Sequence, residues 1–154
     1  MIKILFICLG NICRSPMAEF IMKDLVKKAG LEQEFMIDSR ATSTEETGNP
    51  IHRGTMGIFK KYQIPCTGHR AQQMSRQDYE TYDYLIGMDQ SNIRNMTRIA
   101  GGDPEKKIYK LMEFTGSGRD VADPWYTGDF EATYRDVSEG CQALLEKLKG
   151  NLAR

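Results

Sequence analysis

Neither sign of charge is in excess in this sequence: 21 Lys and Arg stand against 21 Asp and Glu. Without a basic field, nucleic acid is not an expected partner, and any anion must be held by a few local groups. No apolar run approaches the roughly 20 residues of a membrane-spanning helix. The opening "MIKILFICLG" has too short an apolar stretch for a secretory signal. These absences set the expectation of a cytoplasmic protein with no membrane partner. Histidine is scarce, at two residues, and the four cysteines Cys8, Cys13, Cys66 and Cys141 form no paired knuckles. A structural zinc site and a disulfide scaffold are therefore both unexpected. No repeat, low-complexity tract or linker divides the chain, so one domain is expected over residues 1–154.

What is present is an alternation of two patterns. Residues 2–8, "IKILFIC", are nearly all apolar, as in a central strand buried on both faces of a parallel sheet. A helix is predicted from Ser15, with Pro16 in its first turn, Gly30 at its end, and Met17, Phe20, Ile21, Leu25 and Val26 on one face. Further strands are predicted at 35–39, 83–89 and 107–114, and helices at 52–62, 91–99 and 130–148. Residues 42–50 and the Gly-rich "TGSGRDVADPWYTGD" read as loops. Alternating strands and helices give an α/β fold, and right-handed crossovers bring the strand-to-helix turns to one sheet edge, where ligands bind.

The first of those turns is "CLGNICRS", residues 8–15. It ends at a helix N-terminus, which offers unpaired N–H groups and partial positive charge. Gly10 and Asn11 tolerate the left-handed backbone that turns several N–H groups inward, making a nest for an oxyanion such as phosphate. Arg14 adds a planar fork for two phosphate oxygens. Cys8 lies beneath the anion, where the same field favours a thiolate, and Ser15 can donate to its sulfur. The loop lacks the Gly-Lys-Ser/Thr ending of a nucleotide-binding P-loop. A thiolate under a phosphoryl group is a nucleophile, and its reaction needs an acid for the leaving oxygen. Asp120 and Asp123 are the candidates. Asp123 is favoured, because Pro124 stiffens it and Trp125 and Tyr126 are expected to shield its carboxyl group from water.

With "CLGNICRSP" near the start, "DPWY" late, and "DSRATS", "GNP" and "DYLIGMDQSN" between, the whole chain resembles the low-molecular-weight protein tyrosine phosphatases. The resemblance implies a four-stranded parallel sheet with helices on both faces, and no metal or organic cofactor. It makes Cys8 the nucleophile that forms a cysteinyl-phosphate. Arg14 and the amides of Leu9, Gly10, Asn11, Ile12, Cys13 and Ser15 hold the phosphoryl oxygens. Asp123 protonates the tyrosyl oxygen and then activates water. Asn11, Ser39 and His69 match a polar network that props the loop open. Ile12, Glu45, Trp125 and Tyr126 line the substrate cleft. Glu45 departs from the pattern, since the family usually has an aromatic there. Cys13 shares the tight loop with Cys8, and both its position and the resemblance suggest a reversible disulfide partner. The implied substrates are phosphotyrosine proteins, met by a monomer.

Two relatives of the same fold class offer other chemistry. Phosphoarginine phosphatases typically carry a threonine where Ile12 stands. Arsenate reductases need a relay of further cysteines, and Cys141 falls on the apolar stripe of the last helix. A phosphate-binding module without activity would be expected to lack Cys8 or Asp123.

Overall fold

In the computed structural model, which describes residues 1–152, the opening apolar run forms strand β1, Ile2–Cys8. The expected domain, 1–154, thus runs two residues past the described chain. Three more strands join β1: β2 (Phe35–Ala41), β3 (Tyr84–Gly87) and β4 (Ile108–Lys110). All pairings are parallel and the order is β2-β1-β3-β4. Strand β1 is apolar apart from Lys3, as suits a strand covered on both faces. Ile4, Phe6 and Cys8 face one core, with helices α1 (Arg14–Lys28) and α6 (Phe130–Leu152). Leu5 and Ile7 face the other, with Tyr79 of α3 (Arg76–Thr81) and Met96 of α4 (Gln90–Ala100). The four-stranded α/β fold with helices on both faces is as expected.

The chain leaves β1 for β2 on one side and later returns to β3 on the other. The crevice of such a sheet opens where the order reverses, beyond the carboxyl ends of β1 and β3. The loops after Cys8 and after Gly87 are therefore neighbours.

Three elements differ from expectation. The strand predicted at 107–114 stops at Lys110, and residues Leu111–Thr115 form a 3₁₀ turn. Leu111 and Met112 are both fully buried, which two consecutive residues of a one-sided edge strand do not achieve. Gly140 leaves room for this turn, since a Cβ there would lie 2.5 Å from Leu111 Cγ. Helix α3 was not predicted, yet Ser75 and Asp78 form the reciprocal hydrogen bonds of a capping box at its start. The Gly-rich loop contains a four-residue helix, α5 (Pro124–Thr127), with Asp123 as its N-cap. Helix α1 also buries more than the predicted stripe: Arg14, Ser15 and Glu19 are buried with the apolar residues.

Candidate active site

The loop from Cys8 to Ser15 is fixed at both ends by the backbone. Thr42 N donates to Cys8 O at 2.9 Å and Ser43 N to Leu9 O at 3.1 Å, joining the loop's start to the end of β2. At the other end, Cys13 O accepts the first helical bond of α1 from Met17 N at 3.3 Å and another from Thr55 Oγ1 at 3.2 Å. Asn11 takes the left-handed conformation between them, with φ of 59°.

Three donors converge on Cys8 Sγ: Asn11 N at 3.3 Å, Ser15 N at 3.4 Å and the Ser15 hydroxyl at 3.1 Å. Ser15 Oγ accepts from Asn11 Nδ2 at 2.8 Å, so its proton is turned to the sulfur at 3.1 Å or to Arg40 O at 3.5 Å. Three donors aimed at one sulfur suit an acceptor that carries charge.

Asn11 is wholly buried and every polar atom of its side chain is used. Nδ2 also donates to Ser39 Oγ at 3.0 Å, and Oδ1 accepts from Gln72 N at 3.2 Å. His69 Nε2 donates to Asn11 O at 2.8 Å. The expected grouping of Asn11, Ser15, Ser39 and His69 is thus present. Glu19, which sequence reasoning missed, closes it: Ser39 Oγ donates to Glu19 Oε1 at 2.6 Å, and His69 Nδ1 lies 3.9 Å away from the same oxygen. A carboxylate set inside the apolar run Met17 to Met22 of α1 was the available signal.

Arg14 is 2% exposed and held from three sides. Nη1 donates to Asp89 Oδ2 at 2.7 Å and to Val121 O at 2.8 Å, and Nη2 to Asp123 Oδ2 at 3.4 Å. Burial opposes its charge, but Cys8, Asp89 and Asp123 outweigh burial and move its pKa above the ordinary value. Asp89 was also missed. It stands just past β3 and caps α4, accepting from Asn92 N at 2.7 Å, so an acid at a strand-to-helix turn was its signal.

The Gly-rich loop reaches this edge because Val121 N donates to Met88 O at 2.9 Å. Of the two candidate acids, only Asp123 lines the cleft. Asp120 pairs with Lys110 at 2.9 Å and accepts from Gln90 N at 3.2 Å. Trp125 and Tyr126, expected to shield Asp123, are 57% and 77% exposed, while the Asp123 side chain is itself 20% exposed. The carboxylate instead meets Arg14 and accepts from Trp125 N at 3.0 Å, as the cap of α5.

The cleft is lined by Cys8 and Arg14 together with Ile12, Glu45, Trp125 and Tyr126. Glu46, not predicted, stands beside Glu45 and packs against Gly10. Cys13 is buried, and burial first, then the neighbouring Cys8 and Asp123, push its thiol up to about 12. It therefore stays protonated near neutral pH. Among the described residues no cluster of three or more His, Cys, Asp or Glu forms a metal site, and no helix is long and apolar enough to cross a membrane.

A Cys-x5-Arg loop at the carboxyl edge of a parallel sheet, faced by an aspartate, is an arrangement suited to phosphoryl transfer. The family model described as "Low molecular weight phosphotyrosine protein phosphatase" matches residues 3–154, and the chain belongs to this family of hydrolases. It is 42% identical to the low molecular weight protein-tyrosine-phosphatase YfkJ of Bacillus subtilis, over 97% of each chain. The crystal structure of YfkJ covers 98% of this chain and 96% of its own at a TM-score of 0.94. SP-PTP of Streptococcus pyogenes is 48% identical, with a TM-score of 0.87 over 96% of this chain and 93% of its own. The structure titled DARP, drosophila arginine phosphatase, is 30% identical, with a TM-score of 0.88 over 96% of this chain and 98% of its own.

Proposed function

We propose that residues 1–154 form one phosphatase domain that hydrolyses phosphotyrosine in proteins, acting as a monomer in the cytoplasm, through a phosphorylated Cys8. The observation that carries this reading is the convergence of three donors on Cys8 Sγ within a cleft that also holds Arg14 and Asp123. All these groups come from one chain, and a thiolate nucleophile suits a reducing compartment.

The phosphoryl group enters the nest with two oxygens on the Arg14 fork and the rest on the loop amides. As it binds, it competes with Asp123 for Nη2, the longest of the three Arg14 contacts at 3.4 Å. Asp123, released from Arg14, takes a proton from solvent and faces the ester oxygen. Cys8 attacks phosphorus, the P–O bond to the tyrosyl group breaks, and Asp123 gives its proton to the departing oxygen. Asp123, now a carboxylate, takes a proton from water as that water attacks phosphorus. The P–S bond breaks, phosphate leaves, and the Ser15 hydroxyl stabilises the returning thiolate.

Ile12 offers apolar contact to an aromatic ring at the cleft wall, and supports an aryl ester over phosphoarginine. An arsenate-type relay has less support. Cys141 is fully buried against Ala18, and Cys66 lies outside the cleft beside Met56. The test is to compare kcat/KM on matched phosphotyrosine, phosphoserine and phosphoarginine peptides. Strong preference for phosphotyrosine is expected, and equal or better use of either rival overturns the reading. Glu45→Tyr should raise kcat/KM on acidic phosphotyrosine peptides by about two- to fivefold, as befits one exposed charge contact, and the gain should shrink with salt.

A further inference from the structure

His52 has no part in the chemistry above, yet its backbone and ring join the two halves of the site. Its N–H donates to Ile12 O at 2.9 Å, within the phosphate-binding loop. Its ring lies flat on Phe130, with centroids 5.2 Å apart and planes at 11°. The same ring meets Trp125 edge-to-face, at 5.6 Å and 74°. Trp125 is two residues from Asp123 and lies in the helix that Asp123 caps. Phe130 packs against Ile12 and Cys13 of the loop. The ring is fixed in turn, since Nδ1 accepts from Gly54 N at 3.0 Å and caps helix α2 (Arg53–Lys61). Gly54 is a necessary part of this arrangement. A Cβ on it would lie 2.3 Å from Phe130 Cζ, so any side chain there would drive Phe130 off the His52 ring. The glycine that weakens α2 as a helix makes space for the stack.

We infer that His52 is a positioning residue: its ring, stacked on Phe130, braces Trp125 and so sets the Asp123 turn over the phosphate loop. The inference rests on the reading of Asp123 as the acid. Trp125 is more than half exposed, so the ring it leans on is a main restraint on its place. Edge-to-face contact has a directional preference, which a generic apolar patch lacks. Loss of the ring lets the turn drift while the loop, held by backbone bonds, keeps its shape.

The experiment measures kcat/KM on phenyl phosphate and on 4-nitrophenyl phosphate, together with inhibition by inorganic phosphate and thermal stability. Poor leaving groups need protonation most, so they report on the placement of the acid. His52→Ala should lower kcat/KM for phenyl phosphate roughly tenfold, in the range that a small misplacement costs, and for 4-nitrophenyl phosphate by about threefold or less. Inhibition by inorganic phosphate should stay within about twofold, because the loop's own bonds persist. His52→Phe, which keeps a ring but no cap, should restore most of the phenyl phosphate activity. His52→Asn, which keeps a capping oxygen but no ring, should restore stability and leave that activity low. Wild-type activity in His52→Asn would overturn the inference, since the residue would then serve only as a cap. Equal loss on both substrates with weakened phosphate inhibition would also overturn it, in favour of a structural role for the loop. Asp123→Asn separates the two layers. If it is itself insensitive to the leaving group, the acid reading fails and takes the inference with it. If Asp123→Asn is sensitive and His52→Ala is not, the inference alone fails.

Discussion

Arg14 Nη1 donates to Asp89 Oδ2 at 2.7 Å, across the point where the sheet order reverses between β1 and β3. The pair ties the loop after one strand to the loop after its neighbour and aims the Arg14 fork at the nest. Asp89 also accepts from Asn92 N as the cap of α4, so its two oxygens hold a cation and a helix at once.

This double use separates two substitutions. Asp89→Asn keeps one acceptor oxygen, which can cap α4 or meet Nη1 but not both, and kcat/KM should fall by about threefold. Asp89→Ala removes both. It should lose about 1 kcal/mol of stability from the cap and about tenfold in kcat/KM from a fork free to turn. Denaturant unfolding and aryl phosphate kinetics on the same preparations check both figures. Unchanged kinetics in Asp89→Ala would remove Asp89 from the orientation of Arg14.

Asp123→Asn should slow aryl phosphate cleavage by roughly 10²–10⁴, the usual contribution of a general acid. The loss should grow with the basicity of the leaving group. A series of substituted phenyl phosphates provides the slope, and a flat slope would move the proton to water, since Asp120 is engaged with Lys110 outside the cleft.

The parts of the site legible from the residues themselves are those whose partners lie close along the chain, while Ser39 and His69 were marked by the family resemblance. Cys8, Asn11, Ser15 and Arg14 fall within one turn, flanked by an uninterrupted strand and a Ser-Pro helix start. Asp123 was marked by Asp-Pro. Asp89 and Glu19 act through Arg14, Ser39 and His69, which come from other elements, and only the sheet order and helix packing bring them together. His52 was hidden for the same reason, because Trp125 and Phe130 lie in the last third of the chain. The error at 107–114 has another origin: "KIYKLMEF" is apolar and aromatic enough for a strand, but a turn that buries Leu111 and Met112 together against α6 is the better solution at a sheet edge.

Cys13 shares the loop with the nucleophile, and we propose that it protects Cys8. Peroxide oxidises the Cys8 thiolate to a sulfenic acid, and the Cys13 thiol condenses with it, forming an S–S bond and releasing water. After peroxide and then a thiol reductant, wild type should recover most of its activity and Cys13→Ser much less. Equal recovery would mean that Cys13 only fills space.

The same residue makes stability depend on alkaline pH. Its thiol ionises near 9.0 when unperturbed and near 12 in the folded chain. Between those values the unfolded chain has released the proton that the folded chain retains. Stability therefore falls as pH rises through this window, by at most about 1.4 kcal/mol per unit. Denaturant unfolding from pH 8 to 11 should show a shallower fall in Cys13→Ser than in wild type. Parallel curves would mean that the buried thiol does not carry this linkage.

The central claim is that a phosphoryl group rides on Cys8, and the most direct measurement is to trap it. Acid quench of the enzyme during turnover of an aryl phosphate, followed by peptide mass analysis, should find the phosphoryl group on Cys8. Cys8→Ser should abolish turnover and still bind inorganic phosphate, because the hydroxyl stays protonated while the nest and Arg14 are intact. A phosphoryl group on another residue, or substantial turnover in Cys8→Ser, would contradict the account.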